Sequence, residues 1–224
     1  MKQNLSRKSF LKGVLAAAAL PAALVAGFFG RKKDELSHSS DNSLFANNDC
    51  GATDRATAGP FYISHAAKAH NINYKNLPGT PMLISGIVYG GSDMKTPLAN
   101  AQVELWHADD SGSYHPKEDG DISQFKAEEI CLRGIQVTDK NGKYGFKSIV
   151  PGLYGGRRRH LHWKVVADDH VSVITQSYWL NEKGTARERN DRTDRNTEDC
   201  RYVDFKKNDK GIMEGVFNIY LVKR

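Results

Sequence analysis

The chain has 224 residues, enough for one substantial domain, and its 39% hydrophobic and 26% charged residues describe an ordinary folded chain, not a disordered or fibrous one. A mean hydropathy of −0.56 with one long apolar run excludes a polytopic membrane protein, and three cysteines are too few for a disulfide-built miniature or a four-cysteine zinc site. The pI of about 9.1 would suggest a nucleic-acid partner, but without Lys2, Arg7, Lys8 and Lys12 only 28 basic residues face 26 acidic ones, so no phosphate-backbone partner is expected.

Residues 1–12 are basic and polar, and residues 13–30 carry no charge. A basic segment followed by a small-residue apolar run is the pattern of an export signal. Ser6-Arg7-Lys8-Ser9-Phe10-Leu11-Lys12 is similar to a twin-arginine signal, with Lys8 where the second arginine would stand. Residues 1–30 therefore read as an export signal that sends the protein to the periplasm or another extracytoplasmic space. An uncleaved membrane anchor through residues 13–30 is the alternative. Residues 31–49, rich in Ser, Asn and Asp without periodicity, read as a polar linker.

From residue 50 to 224 strand signals alternate with turn signals. Residues 83–89 form a β-rich run closed by Gly90-Gly91, and residues 101–106 alternate apolar and polar at period two. Residues 133–138, a turn at Asp139-Lys140-Asn141-Gly142 and residues 143–149 predict a hairpin. Tyr144 on its second strand reads as a packing residue that needs only its ring. Residues 161–166, 171–179 and 216–222 complete the strands, and no long capped amphipathic helix interrupts them. The expectation is an all-β, antiparallel β-sandwich with long surface loops. Residues 181–211, a mixture of acids and bases, read as a surface excursion with no buried face.

His160-Leu161-His162 carries the first chemical signal. Residues i and i+2 of a strand share a face, so both imidazoles can converge on one metal ion, although two solvent-facing histidines on an edge strand have the same spacing. Tyr154 stands six residues upstream of His160 in a glycine-flanked turn. A deprotonated tyrosine is a hard oxygen donor suited to Fe(III), whereas a tyrosine by itself is usually a packing residue. Arg157 could set a positive charge beside an anionic substrate, or it could belong to a solvated run with Arg158 and Arg159.

These residues sit in an ordered set of motifs. It comprises Gly59-Pro60-Phe61-Tyr62, Gly86-Ile87-Val88, Trp106 through Tyr114, Arg133 through Asp139, Gly142 through Phe146, Pro151-Gly152-Leu153-Tyr154, His160-Leu161-His162 and Thr175-Gln176. Over about residues 50–222 the chain resembles the intradiol ring-cleavage dioxygenases, which include protocatechuate and catechol dioxygenases. The resemblance implies a β-sandwich holding one non-haem Fe(III) through Tyr114, Tyr154, His160 and His162. It makes Tyr154 the axial tyrosine that substrate displaces, with His162 opposite it and Tyr114 and His160 equatorial. It implies further that Arg157 lies beside the bound substrate and that Gln176 supports the site. The implied reaction inserts both atoms of O2 into a catechol-type substrate and yields a cis,cis-muconate-type diacid.

The five residues between Tyr154 and His160 are fewer than in protocatechuate and catechol dioxygenases, which resembles exported single-domain members and reshapes one pocket wall. The stretch before residue 50 leaves no room for the helical dimerisation domain of catechol-type members. The runner-up is an exported transthyretin-like or adhesin-like binding module with no catalytic metal, since such sandwiches share strand phrases around Thr138-Asp139. Two of Cys50, Cys131 and Cys200 are expected to pair in an exported protein. The sequence does not choose the pair, the catechol or the oligomeric state.

Overall fold

The period-two alternation of the strands decides which side chains enter the core and which face outward. The computed structural model describes residues 50–195 and 197–224. The segments read above as an export signal (1–30) and a polar linker (31–49) lie outside the described residues. In chain order the strands are β1 (Ile63–Ser64), β2 (Pro81–Gly90), β3 (Thr96–Pro97), β4 (Gln102–Trp106), β5 (Gly120–Asp121), β6 (Arg133–Val137) and β7 (Lys143–Ile149). They continue with β8 (His160–Val166), β9 (Val173–Trp179), β10 (Tyr202–Val203), β11 (Lys206–Lys207), β12 (Met213–Val216) and β13 (Ile219–Tyr220). One short helix, α1 (Ala186–Asn190), follows β9.

Two sheets face each other. The first runs β10-β9-β8-β4-β6, and the second is organised on the long strand β2, which pairs with β7, β3, β12 and β13. Val103, Leu105, Leu161, Trp163 and Val165 of the first sheet meet Met82, Ile84, Val88, Tyr144 and Phe146 of the second in one buried cluster. Each such side chain contributes about 1.5–3 kcal/mol by leaving water. Residues 67–72 close one side of the sandwich by bonding both free edges. Ala69 N donates to Ile135 O at 3.1 Å on β6, and Ile72 N donates to Lys147 O at 3.0 Å on β7. A covered edge no longer offers its unpaired backbone to other chains.

The expected sandwich is present, with four differences in detail. First, the turn at Asp139 forms, its Oδ1 accepting from Asn141 N and Lys143 N at 2.8 Å each. The flanking strands are nevertheless not a hairpin: β6 pairs with β4, and β7 pairs with β2. Turn chemistry is local, whereas the core decides the partner, so the chain crosses between sheets there. Second, pairing is not wholly antiparallel, because β12 and β13 lie parallel to β2 and β10 lies parallel to β9. Third, the strand expected over 216–222 breaks in two. Phe217 turns into the core, and Asn218 Oδ1 accepts from Ile87 N at 3.0 Å.

Fourth, Tyr144 needs more than its ring. Its hydroxyl donates to the Phe217 carbonyl at 2.5 Å, and removing it would leave a buried acceptor unpaired at a cost of about 1–3 kcal/mol. The segment read as a surface excursion is also partly interior, since Asp191, Arg201 and Val203 are buried.

The disulfide joins Cys50 to Cys200 across 150 residues, and Cys131 is free and buried. Closing so long a loop contributes about 2–4 kcal/mol. Thiol titration of the native protein should therefore find no rapidly reacting group, unfolding without reductant should release one thiol, and reduction should release all three. Replacing Cys50 and Cys200 together by Ser should lower the denaturation midpoint. A native protein with a fast-reacting thiol would contradict this arrangement.

Candidate active site

The outer face of the first sheet carries the polar side chains that the core excludes. In register, His162 stands opposite Trp106 on β4 and Gln176 on β9, and His160 stands opposite Tyr178. Their neighbours Leu161, Trp163 and Leu105 point the other way into the core. Sheet alternation alone thus places both imidazoles, Trp106 and Gln176 on one surface.

The two tyrosines arrive on loops. After β4 the chain turns at Asp109, whose Oδ1 accepts from Ser111 N and Ser113 N at 2.9 Å each, and this sets up Tyr114. Tyr154 follows β7. The two loops touch backbone to backbone, with Gly152 N donating to Asp109 O at 2.7 Å. A Cβ at Gly112 would stand 2.1 Å from Leu153 O, and one at Gly152 would stand 2.1 Å from Asp110 O. Glycine at both positions is what lets the loops approach so closely. The rings of Tyr114 and Tyr154 meet edge-on, with centroids 5.6 Å apart.

All six residues singled out from the sequence lie in one region. Tyr114, Tyr154, Arg157, His160 and His162 line a cleft of about 220 Å³ together with Trp106 and residues 58–61. Gln176 sits directly behind them, bonded to Arg157. Gly59, Pro60 and Phe61 form one wall of this cleft.

The Tyr114 hydroxyl lies 3.2 Å from Nε2 of His160 and 3.0 Å from Nε2 of His162. His160 Nδ1 donates to the Arg158 carbonyl at 2.7 Å, which leaves the Nε2 lone pair for the cleft. His162 stacks on Trp106 with 9° between planes, and its buried Nδ1 faces the Thr57 carbonyl without closing a normal hydrogen bond. Burial pushes His160 down to about 4, with the Arg157 charge adding to the effect. Burial likewise drives His162 well below the ordinary histidine range, helped by His160 and Arg157. Both rings are therefore neutral. Burial also raises the Tyr114 phenol, opposed by Arg157.

This donor set fits a metal cation. Tyr114 can donate to His160 Nε2 and accept from His162 Nε2–H, but that tautomer leaves the lone pair of the buried His162 Nδ1 unmatched, and the other leaves two Nε2 acceptors for one proton; either is costly in a buried site. A cation can accept from all of these atoms at once. Among the described residues no group of three or more His, Cys, Asp or Glu side chains could hold a metal, so a metal here would depend on tyrosine oxygen.

Arg157 is fixed on two sides. Its Nε donates to Asp191 Oδ1 at 2.8 Å and its Nη2 to Gln176 Oε1 at 2.6 Å. Gln176 Nε2 in turn donates to the Thr57 carbonyl at 2.7 Å, so the amide presents its oxygen to the arginine. The solvated-run alternative fails for all three arginines. Arg158 is fully buried, bonded to Glu188 and Tyr202 at 2.9 and 2.6 Å, with its guanidinium 3.6 Å from the Tyr178 ring centroid. Arg159 pairs with Glu182 at 3.2 Å.

Three further residues take part although the sequence assigned them no role, Arg133 having appeared only as the first residue of a motif. Asp191 lies in the acid-and-base segment where any of several carboxylates could have served. Arg133 donates to His115 O at 3.0 Å and Phe61 O at 2.9 Å, joining the Tyr114 loop to the cleft wall. Only its place opposite Trp106 in the register could have hinted at this. Asp194 holds Arg201 through two bonds of 2.7 and 3.0 Å, and burial, which would raise it, is outweighed by Arg201 and Tyr178.

Comparison with known proteins agrees with this geometry. Residues 57–191 match a family model described as "Dioxygenase". The chain is 30% identical over 150 residues to catechol 1,2-dioxygenase of Acinetobacter baylyi, covering 56% of this chain and 45% of that protein. The chain thus spans about half the length of the curated relatives it matches. A solved dioxygenase domain from Streptomyces sp. SirexAA-E, part of a dioxygenase carbohydrate-binding fusion, aligns with a TM-score of 0.61 and 26% identity, covering 77% of this chain and 97% of that one. An intradiol ring-cleavage dioxygenase from Tetranychus urticae shares the fold with a TM-score of 0.63 at 22% identity, covering 77% and 95% of the two chains. With the family model spanning more than half of its length and the motif residues gathered in one cleft, the chain belongs to the intradiol ring-cleavage dioxygenase family.

Proposed function

We propose that the protein is an Fe(III)-dependent intradiol dioxygenase that cleaves a catechol-type ring between its two hydroxyl-bearing carbons. Both atoms of O2 enter the product, a cis,cis-muconate-type diacid. The observation that carries this reading is the Tyr114 hydroxyl within 3.2 Å of both histidine Nε2 atoms, in a cleft that Tyr154 also lines. Tyr114, Tyr154, His160 and His162 are the residues that would hold the iron. When bound, Fe(III) supplies Lewis acidity and a template for two adjacent oxygens.

The chain's own groups divide the remaining work. Tyr154 Oη takes one proton from the entering catechol. Phe61, Trp106 and Pro60 shield the ring from water. Arg157, held by Asp191 and Gln176, presents its remaining N–H groups to negative charge that develops on the substrate, where a preorganised donor in a dry site is worth most. Gln176 keeps the guanidinium oriented and does not reach the substrate itself.

Phenolate bound to Fe(III) absorbs visible light, so aerobically purified or Fe(III)-reconstituted protein should be coloured. Tyr114→Phe and Tyr154→Phe should each shift the band and the double variant should abolish it. Tyr89→Phe, whose ring stacks on Tyr220, is the control, because Tyr144→Phe would disturb the fold. Catechol under nitrogen should move the band, and oxygen should bleach it as diacid forms. A protein that stays colourless after reconstitution removes the dioxygenase reading.

Arg157→Ala should bind iron normally and turn over on the order of 10²–10³ more slowly, measured as kcat with iron content in parallel. Unchanged turnover would exclude the electrostatic role.

Export of the protein is part of the same proposal. It is supported by the pattern of residues 1–30 and by a disulfide, which suits an oxidising compartment. Replacing Arg7 and Lys8 together by Gln should retain the protein in the cytoplasmic fraction, and normal export of that variant would refute the signal.

A further inference from the structure

Asp191 is a fully buried carboxylate with no direct part in the assigned chemistry. Its Oδ1 lies 2.8 Å from Arg157 Nε, whereas its Oδ2 stands 3.4 Å from Arg158 Nε without a hydrogen bond. Arg158 has other partners: Glu188, Tyr202, the Asp194 carbonyl and Thr197. The tight contact of Asp191 is thus with the arginine of the cleft. Among the described residues Asp191 is also the only ion-pair partner of Arg157. The second anchor, Gln176 Oε1, is neutral and lies 2.9 Å from the Tyr178 hydroxyl as well.

Local structure fixes Asp191 in turn. Its backbone N–H closes α1 by donating to Arg187 O and Glu188 O at 3.1 Å each, and α1 begins at the Thr185 cap. Glu188 of the same helix holds Arg158. Beyond the helix, Arg201 grips Asp194, and Cys200 is bonded to Cys50. A helix of five residues with no buried side chain gains little from packing, so its evident work is to deliver Asp191 and Glu188 inward.

We propose that Asp191 is the positioning residue that aims Arg157 into the cleft. It occupies Nε while Gln176 occupies Nη2, so one edge of the guanidinium is consumed. The Nη1 end, which carries no hydrogen bond from the described residues, is left toward the substrate. An arginine without this clamp would lose its single orientation to rotamer freedom. The proposal rests on the assignment of Arg157 to the substrate made above.

The test begins with the metal-free protein. Arginine Nε–H resonances should include one slowly exchanging signal that disappears in Arg157→Lys. That signal should persist in Asp191→Asn, which keeps an acceptor oxygen, and be lost in Asp191→Ala. In the iron-loaded enzyme Asp191→Ala should lower kcat on the order of 10–100-fold, as supporting residues do, with a smaller change in KM. The loss should vanish in an Arg157→Ala background, because a residue acting only through Arg157 has nothing left to orient. Asp191→Asn should restore part of the rate, and its own smaller loss should also vanish in that background, which keeps the comparison usable if Asp191→Ala does not fold. A protected signal surviving in folded Asp191→Ala, or equal losses in both backgrounds, overturns the proposal. If the unaltered protein neither colours nor turns over, the dioxygenase reading falls while the resonance experiment still decides whether Asp191 holds Arg157.

Discussion

The first sheet is buried on both faces, and most of the site follows from that. One face packs against β2 and β7 in the apolar core. The other is covered by residues 58–62, the Tyr114 and Tyr154 loops and the segment after β9. Every polar side chain on the covered face must find a partner there, since a buried polar group without one is costly. His160, Gln176, Tyr178 and Glu104 meet this demand within the protein, and the pairing fixes their orientations, whereas His162 Nδ1 is left without a partner. The reactive geometry is thus largely what remains after the buried face has been satisfied.

Charge makes the constraint sharper. Arg133, Arg158 and Arg201 are at most 2% exposed, and taking a guanidinium out of water costs several kcal/mol unless it is paired. Arg158 and Arg201 pair with carboxylates from the segment after β9. Arg133 instead donates to backbone carbonyls, and burial draws its pKa down to about 10. Such pairs add little net stability over apolar packing, yet losing one partner is severe. Their use here is geometric: Arg133 ties His115 to Phe61, and Arg158 ties the turn before β8 to the segment after β9.

Much of this was legible in the sequence, for identifiable reasons. Strands β4, β7 and β8 announced themselves because alternation and turn residues are local signals, and β8 placed His160 and His162 together for the same reason. Tyr114 and Gln176 were assigned only through the ordered motifs, and those motifs also decided between the two local readings of Arg157, since nothing local separates these residues from packing or surface residues. The hairpin at Asp139 misled because a good turn does not dictate which sheet its strands join. The roles of Asp191, Asp194 and Arg133 stayed hidden, although Arg133 heads one of the motifs, because their partners lie 34, 7 and 72 residues away and no spacing rule connects them. Cys50 and Cys200 likewise pair by three-dimensional proximity.

The span of these links has a consequence for how the chain becomes active. Gln176 reaches back 119 residues to Thr57, and the disulfide closes 150, so the cleft rests on some of the most distant contacts in the chain. Contacts of that kind form slowly, because loop closure precedes any reward. A nascent or clipped polypeptide ending before residue 191 already contains both tyrosines and both histidines, yet it gives Arg157 no counter-ion and leaves Cys50 unpaired. Completion of the cleft is therefore tied to completion of the chain, not merely to the presence of those four residues.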